Sequence, residues 1–140
     1  MTLTTSKIQR WLVKWQRVLK LQDWEIAVVV RPREDMEGND GSCMSMVGRK
    51  HASIQLAEAW KPEELNEFYD PEQTFIHELI HVHFAPFESS INGSPEDIAQ
   101  EQAIDSLATA LITQERKIEA LKAKLKDIAA TAKHQGSRKR

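Results

Sequence analysis

The sequence predicts an α+β domain: an N-terminal helix, a small three-stranded sheet, a helix that carries histidines, and a long C-terminal helix. Three patterns predict this class. Apolar residues recur every three or four positions over residues 6–21, they alternate with other residues between residues 24 and 57, and helical spacing returns after residue 70. The chain has 140 residues, of which 41% are apolar and 29% charged, as in one ordinary globular domain.

Net charge and cysteine content limit the expected partners and compartment. The formal net charge of −2 favours neither a nucleic acid nor a membrane as partner. Cys43 is the only cysteine, so a disulfide within the chain is impossible and a reducing, cytoplasmic compartment is expected. The sequence has no signal-peptide pattern and no apolar run of the roughly 20 residues that cross a bilayer.

The first predicted element is an amphipathic helix over residues 6–21. Lysines and arginines occupy the face opposite its apolar residues. Three of the four tryptophans, Trp11, Trp15 and Trp24, fit the apolar patterns and are predicted to lie in the core. The apolar face of the helix comprises Ile8, Trp11, Leu12, Trp15, Val18 and Leu19.

Three strands are predicted next. The β-branched run before Pro32, DWEIAVVVRP, predicts a strand that is buried on both faces. Residues 33–42 form a polar loop with two glycines, and residues 43–47 and 52–57 read as short strands. In the last strand Ile54 and Leu56 are expected to face the core.

The two later helices have clear start signals. Asp70 precedes Pro71 and Ser94 precedes Pro95, so each helix has an N-cap residue followed by proline at its first position. Pro86 ends the first of these helices.

The last helix is predicted to be long and to change character along its length. Its apolar residues, Ile104, Leu107, Leu111, Ile118, Leu121, Leu125 and Ile128, follow a 3-4 spacing that Gln114 interrupts. We expect a domain over residues 1–113, a solvated or coiled-coil-like helical extension over residues 114–132, and a disordered basic tail over residues 133–140. The extension could pair two copies of the chain, whereas the tail is weak evidence for nucleic-acid binding.

The helix after Pro71 contains the pentapeptide HELIH at residues 77–81. Histidines four apart lie on one face of a helix, so His77 and His81 can both ligate one metal ion. Glu78 is turned by about 100° from His77 and can accept a proton from water at that ion. The pattern H-E-x-x-H in a capped apolar helix therefore predicts a zinc site with Glu78 as general base.

A third protein ligand should come from the last helix. Glu101 is the preferred candidate because it lies three residues before Ile104, at the edge of the apolar stripe, where a buried acid needs a partner. Glu96, Asp97 and Asp105 remain alternatives. His83 is turned about 200° from His81 and reaches the metal only if the helix ends early. Cys43 is read as a buried structural residue in preference to a ligand.

TFIHELIHVHF, followed downstream by EQAIDSLATALI, resembles the compact gluzincin-like metallopeptidases of the ImmA/IrrE family. In that family a glutamate at the position of Glu101 is the third zinc ligand, although Ile104 and Leu107 here replace the usual alanine and phenylalanine. The N-terminal helix and strands also resemble SprT-like minimal zincins. This second resemblance implies that the strand over residues 52–57 lies over the metal cleft and pairs with an extended substrate.

Taken together, these residues suggest a zincin-like metallopeptidase that hydrolyses peptide bonds of a protein or peptide substrate. His51, Tyr69 and His83 are candidate donors to the oxyanion. The alternative is a zinc-containing regulatory protein that cuts poorly and assembles through its C-terminal helix. Small single-domain proteins of this appearance are frequent in bacteriophages and prophages, which suggests such an origin.

Overall fold

The computed structural model describes residues 3–58, 69–88 and 91–137, with side chains described to residue 132. The α+β layout predicted from the sequence is confirmed. Short 3-10 turns follow the first and second strands and the second helix. The helices and strands are α1 (Thr5–Val18), β1 (Glu25–Arg31), β2 (Gly41–Met46), β3 (His51–Ala57), α2 (Pro71–Phe84) and α3 (Pro95–Ser137).

Helix α1 packs against α2. Of its predicted apolar face, Ile8, Trp11, Leu12 and Trp15 are buried, whereas Val18 is 46% exposed and Leu19 lies beyond the end of the helix. The Thr4 side chain caps the helix by accepting a hydrogen bond from the Lys7 amide. The Trp11 ring stacks on Phe75 with ring centroids 6.1 Å apart. Trp15 is buried and its indole N–H donates to the Glu72 carboxylate at 3.0 Å. The tryptophans that the sequence assigned to the core therefore hold α1 on α2, except Trp24, which is only half-buried.

The three strands form one sheet in the order β1-β3-β2, with β1 parallel and β2 antiparallel to β3. Ile54 and Leu56 of β3 are fully buried, as predicted. The prediction that the first strand is buried on both faces is wrong, because burial alternates along β1 and Val29 is 44% exposed. A run of small β-branched residues does not reveal whether one or both faces are covered. Helix α2 packs on this sheet through β2 and β3.

Helix α2 begins at the predicted residue and ends shortly before the proline that was predicted to stop it. The Asp70 carboxylate accepts hydrogen bonds from the amides of Glu72 and Gln73, and Pro71 occupies the first position. The helix ends at Phe84, immediately before the turn that contains Pro86. Its buried residues lie on several sides because α2 packs between α1 and the sheet. They are Phe75, Ile76, Glu78, Leu79, Ile80 and Val82.

Helix α3 starts as predicted, with the Ser94 hydroxyl accepting a hydrogen bond from the Asp97 amide. Ile104 and Ala108 are fully buried, whereas Leu107 is 47% exposed. Leu107 belongs to the predicted apolar spacing of this helix, but it does not lie in the core. The 3-4 spacing defines a stripe that is wider than the face this helix buries, and Leu107 lies outside that face.

The chain divides into two compact units, Met1–Ala108 and Thr109–Arg140, so the division falls within α3. In the second unit Ile118, Leu121, Leu125 and Ile128 are all exposed. The helix continues to Ser137, further than the predicted end of the extension at residue 132, and residues 138–140 of the predicted tail lie outside the described residues. None of the helices in the described part of the chain combines the length and apolar character needed to cross a membrane.

Candidate metal centre

Two histidines of α2 point their outer ring nitrogens at each other. His77 and His81 are one helical turn apart, and their Nε2 atoms are 3.1 Å apart. The rings are tilted by 57°, and both side chains are mostly shielded from solvent, at 18% and 15% exposed. An i, i+4 pair on a rigid, packed helix therefore presents two nitrogen donors to one point.

Glu101 of α3 faces both histidines. Its Oε2 lies 3.3 Å from Nε2 of His77, and its Oε1 lies 3.3 Å from Nε2 of His81. One ligand atom from each of the three residues falls within 4.8 Å of the other two. Ile104 anchors this part of α3 in the core, so Glu101 is held at the edge of the buried face, where the sequence analysis placed it.

Two further carboxylates lie behind the histidine rings. Asp105 Oδ1 is 3.2 Å from His77 Nδ1, and Glu88 Oε1 is 3.6 Å from His81 Nδ1. A carboxylate at Nδ1 favours the tautomer with its proton there, which leaves the Nε2 lone pair directed at Glu101. Asp105, one of the alternative ligands, therefore faces the rear of a histidine.

The remaining alternatives do not join the cluster. Asp97 lines the same cleft, but its carboxylate accepts a hydrogen bond from the Gly93 amide at 2.8 Å. Glu96 is exposed on the first turn of α3. His83 lies on a part of α2 that is still helical, and its Nε2 is 2.7 Å from the Leu19 carbonyl oxygen.

Glu78 is the one charged side chain that is buried in the described part of the chain, at 6% exposed. Burial raises the pKa of its carboxyl to about 8, and the negative charge of Glu101 adds to this rise. Burial also lowers the pKa of His81, against the opposing effect of Glu101. His81 is therefore held in the neutral form that binds metals, and the Glu78 carboxyl keeps its proton at neutral pH unless a positive charge lies beside it.

The cluster opens into a cleft of about 890 Å³ between β2, α2 and the start of α3. Among the described residues, its lining contains carboxyl groups and no lysine or arginine, which favours a cation in this cleft. The lining carboxyl groups belong to Asp40, Asp70, Glu78, Glu88, Asp97, Glu101 and Asp105.

The strand that borders the cleft is β2. Because β3 is paired on both sides, the expectation that residues 52–57 pair with a substrate is wrong. The Asp40 carbonyl accepts a hydrogen bond from the Ala57 amide, so the antiparallel alternation turns the backbone groups of Gly41, Cys43 and Ser45 away from β3. Among the described strands, β2 therefore offers its outer edge at the cleft.

Of the three candidate oxyanion donors, only Tyr69 lines the cleft. Its hydroxyl donates to the Ala57 carbonyl at 2.8 Å, and burial raises the pKa of this phenol to about 12. His51 lies at the start of β3, 3.6 Å from a carboxylate oxygen of Glu25, and His83 contacts the Leu19 carbonyl. The Tyr69 phenol is thus protonated, and its proton is used in the hydrogen bond to the Ala57 carbonyl.

No protein-family model, curated protein or solved structure matches this chain. The interpretation of the site accordingly depends on the geometry of its residues. Sequence reasoning missed Gly41 and Glu88, which contact Glu78 and His81, respectively. No local pattern around these two residues signals those contacts.

We predict one bound zinc per chain, lost in His77→Ala and in Glu101→Ala. Each change removes one of three protein donors, and two donors hold zinc far more weakly. The measurement is elemental analysis after the protein has been stripped with chelator, reloaded and dialysed. Asp97→Asn, in the same cleft but outside the cluster, should retain the metal. Full zinc content in Glu101→Ala would contradict the assignment of the third donor.

Cys43 is predicted to be a slow nucleophile. Burial raises the pKa of its thiol to about 11, so the thiol is protonated at neutral pH. At pH 8 its alkylation by iodoacetamide should be on the order of a hundredfold slower than that of glutathione, and should rise about tenfold per pH unit up to pH 10. Mass spectrometry of the alkylated protein measures this rate. Equal rates for Cys43 and glutathione at pH 8 would disprove the prediction.

Proposed function

We propose that this protein is a zinc-dependent metallopeptidase of the cytoplasm. The observation that carries the proposal is the meeting of three donor atoms, from His77, His81 and Glu101, beside the buried carboxyl of Glu78 in an open cleft. Two imidazoles and one carboxylate form a donor set that catalytic zinc uses in hydrolases. The membership of a particular zincin family remains a prediction from the motif.

The residues of the cluster fit a zinc ion. His77 and His81 would bind it through Nε2, with Asp105 and Glu88 orienting their rings from behind. Glu101 would supply the third donor and a negative charge. When bound, zinc lowers the pKa of water toward about 7 and polarises a carbonyl group. A mixed nitrogen and oxygen donor set favours zinc over calcium or magnesium.

Glu78 is the proposed general base. It would take a proton from the attacking water and pass it to the amine that leaves when the peptide bond breaks. A cation in the cluster would favour the carboxylate form that accepts this proton, whereas burial between α2 and β2 raises the pKa of the carboxyl to about 8. The neighbouring charge of Glu101 acts in the same direction.

The outer edge of β2 is the proposed binding surface for the substrate backbone. An extended peptide adds to a sheet edge through main-chain hydrogen bonds, which are independent of side-chain identity. The outward backbone groups of Gly41 and Cys43 lie along the cleft that contains the cluster, and Ser45 continues the same strand edge. We therefore infer that the substrate is a protein segment or peptide in extended conformation.

We predict that Glu78→Gln abolishes hydrolysis and leaves zinc binding intact. Glutamine has the same shape but accepts no proton, so the rate should fall by roughly 10²–10⁴-fold. Fluorescein-labelled casein with zinc-loaded protein provides the assay, and elemental analysis checks the metal. Glu96→Gln removes an equal charge from an exposed position outside the cleft and should keep wild-type activity. Undiminished turnover by Glu78→Gln would rule out this mechanism.

A second candidate function is assembly through the C-terminal part of α3. Four apolar side chains of the second unit are exposed at 3-4 spacing, from 43% for Ile118 to 66% for Leu125 and Ile128. A stripe of this kind is typical of a helix that pairs with another helix. The proposed partner is a second copy of this chain. This assembly does not require zinc binding.

Leu121→Glu combined with Leu125→Glu should convert any dimer to monomer, because charged residues at the centre of a helix pair are costly to bury. Light scattering after size exclusion measures the mass. Ala120→Glu combined with Ala123→Glu adds the same charge at exposed positions beside the stripe and should leave the mass unchanged. A wild-type protein that is monomeric at high micromolar concentration would refute self-assembly.

A further inference from the structure

Gly41 is in close contact with the carboxyl of Glu78. A Cβ atom built on Gly41 would lie 2.6 Å from Glu78 Oε1 and 2.9 Å from Glu78 Cγ, and 2.8 Å from Cγ2 of Thr74. Contacts below 3.0 Å are not tolerated by real Cβ atoms. Position 41 therefore has space for a hydrogen atom and for no larger group.

The reason for this glycine is space and not backbone conformation. Gly38 and Gly93 have positive φ angles, which favour glycine, whereas Gly41 does not. Gly41 lies in a regular strand, in register with Leu56. Glycine inside a strand costs conformational entropy and typically marks a close approach of another group. Here that group is the side chain of Glu78.

Neither the strand nor the helix can easily move aside. The start of β2 is held by the ladder to β3 and by the Arg33 guanidinium, which pairs with the Asp40 carboxylate at 2.6 Å. Helix α2 is held by its Asp70 cap and by the fully buried Phe75. A side chain at position 41 would therefore displace the Glu78 carboxyl and leave both backbones nearly unchanged.

We propose that Gly41 is a positioning residue for Glu78: the bare backbone of β2 forms the wall against which the carboxyl of Glu78 rests beside the His77–His81–Glu101 cluster. The catalytic consequence of this contact rests on the proposed function. The contact itself is independent of any reaction. Gly41 also lines the cleft, so the same glycine keeps the space next to the carboxyl open to a substrate.

The contact is tested in metal-free protein by thermal unfolding. Gly41→Ala should lower the unfolding midpoint by about 5 °C in the wild-type background. In a background that carries Thr74→Ser and Glu78→Ala, which lacks the obstructing atoms, the same change should lower it by less than about 1 °C. Gly48→Ala is the matched control, because a Cβ there meets nothing within 4 Å, and it should have little effect in either background.

The positioning role is tested with zinc-loaded protein and labelled casein. Gly41→Ala should keep its zinc and lose activity on the order of a hundredfold, mainly in kcat. Gly48→Ala should retain both. If Gly41→Ala changes the unfolding midpoint only slightly but loses kcat in this way, the proposal is also supported. That result would mean that the Glu78 carboxyl is displaced with little loss of stability.

Three results would overturn it. One is an equal loss of stability in both backgrounds, which would mean that Gly41→Ala disturbs the strand itself. Another is an effect on KM alone, which would mean that a side chain at position 41 obstructs the substrate and leaves the Glu78 carboxyl in place. The last is a Gly41→Ala protein that keeps the wild-type midpoint and shows no loss of hydrolysis. Wild-type protein that leaves casein uncut, with the stability difference between backgrounds intact, would refute the hydrolase and retain the Gly41–Glu78 contact.

Discussion

The burial of the Glu78 carboxyl next to the Glu101 carboxylate is the constraint on which the site depends. Burial raises the pKa of Glu78 and the charge of Glu101 raises it further, so the ionised form of Glu78 is costly. A divalent cation held by His77, His81 and Glu101 would offset this cost, because it would place a positive charge beside the Glu78 carboxyl. The proposed cation would therefore supply the positive charge that this group of acids lacks.

The precision that metal binding would require explains why the site lies on packed elements. Donor atoms must converge within a few tenths of an ångström to hold a metal, and loops rarely provide that precision. Helix α2 is fixed by Trp11 stacked on Phe75 and by the bond from Trp15 to Glu72, while Ile104 anchors α3. The helical repeat of α2 thus sets the distance between the two histidines, and the packing of α3 sets the position of Glu101.

Local features could be predicted from the sequence, and features that depend on tertiary neighbours could not. Asp70 and Ser94 act as caps because capping involves residues three positions apart, and the spacing of His77 and His81 follows from the helical repeat. The central position of β3 was missed because strand order is not encoded in alternation. The contact of Gly41 with Glu78 joins residues 37 positions apart on different elements, and no periodicity within either segment predicts it.

The two proposed activities belong to different stretches of the chain. Every residue of the cluster and of its cleft lies within Met1–Ala108, whereas the exposed stripe from Ile118 to Ile128 lies in the second unit. Apolar side chains exposed on a helix lower the free energy of association and contribute nothing to holding a metal. The proposed hydrolysis and the proposed assembly would therefore depend on separate physical interactions, zinc coordination in one case and apolar burial in the other. Loss of zinc binding would leave the exposed apolar stripe unchanged, and loss of the stripe would leave the zinc ligands unchanged.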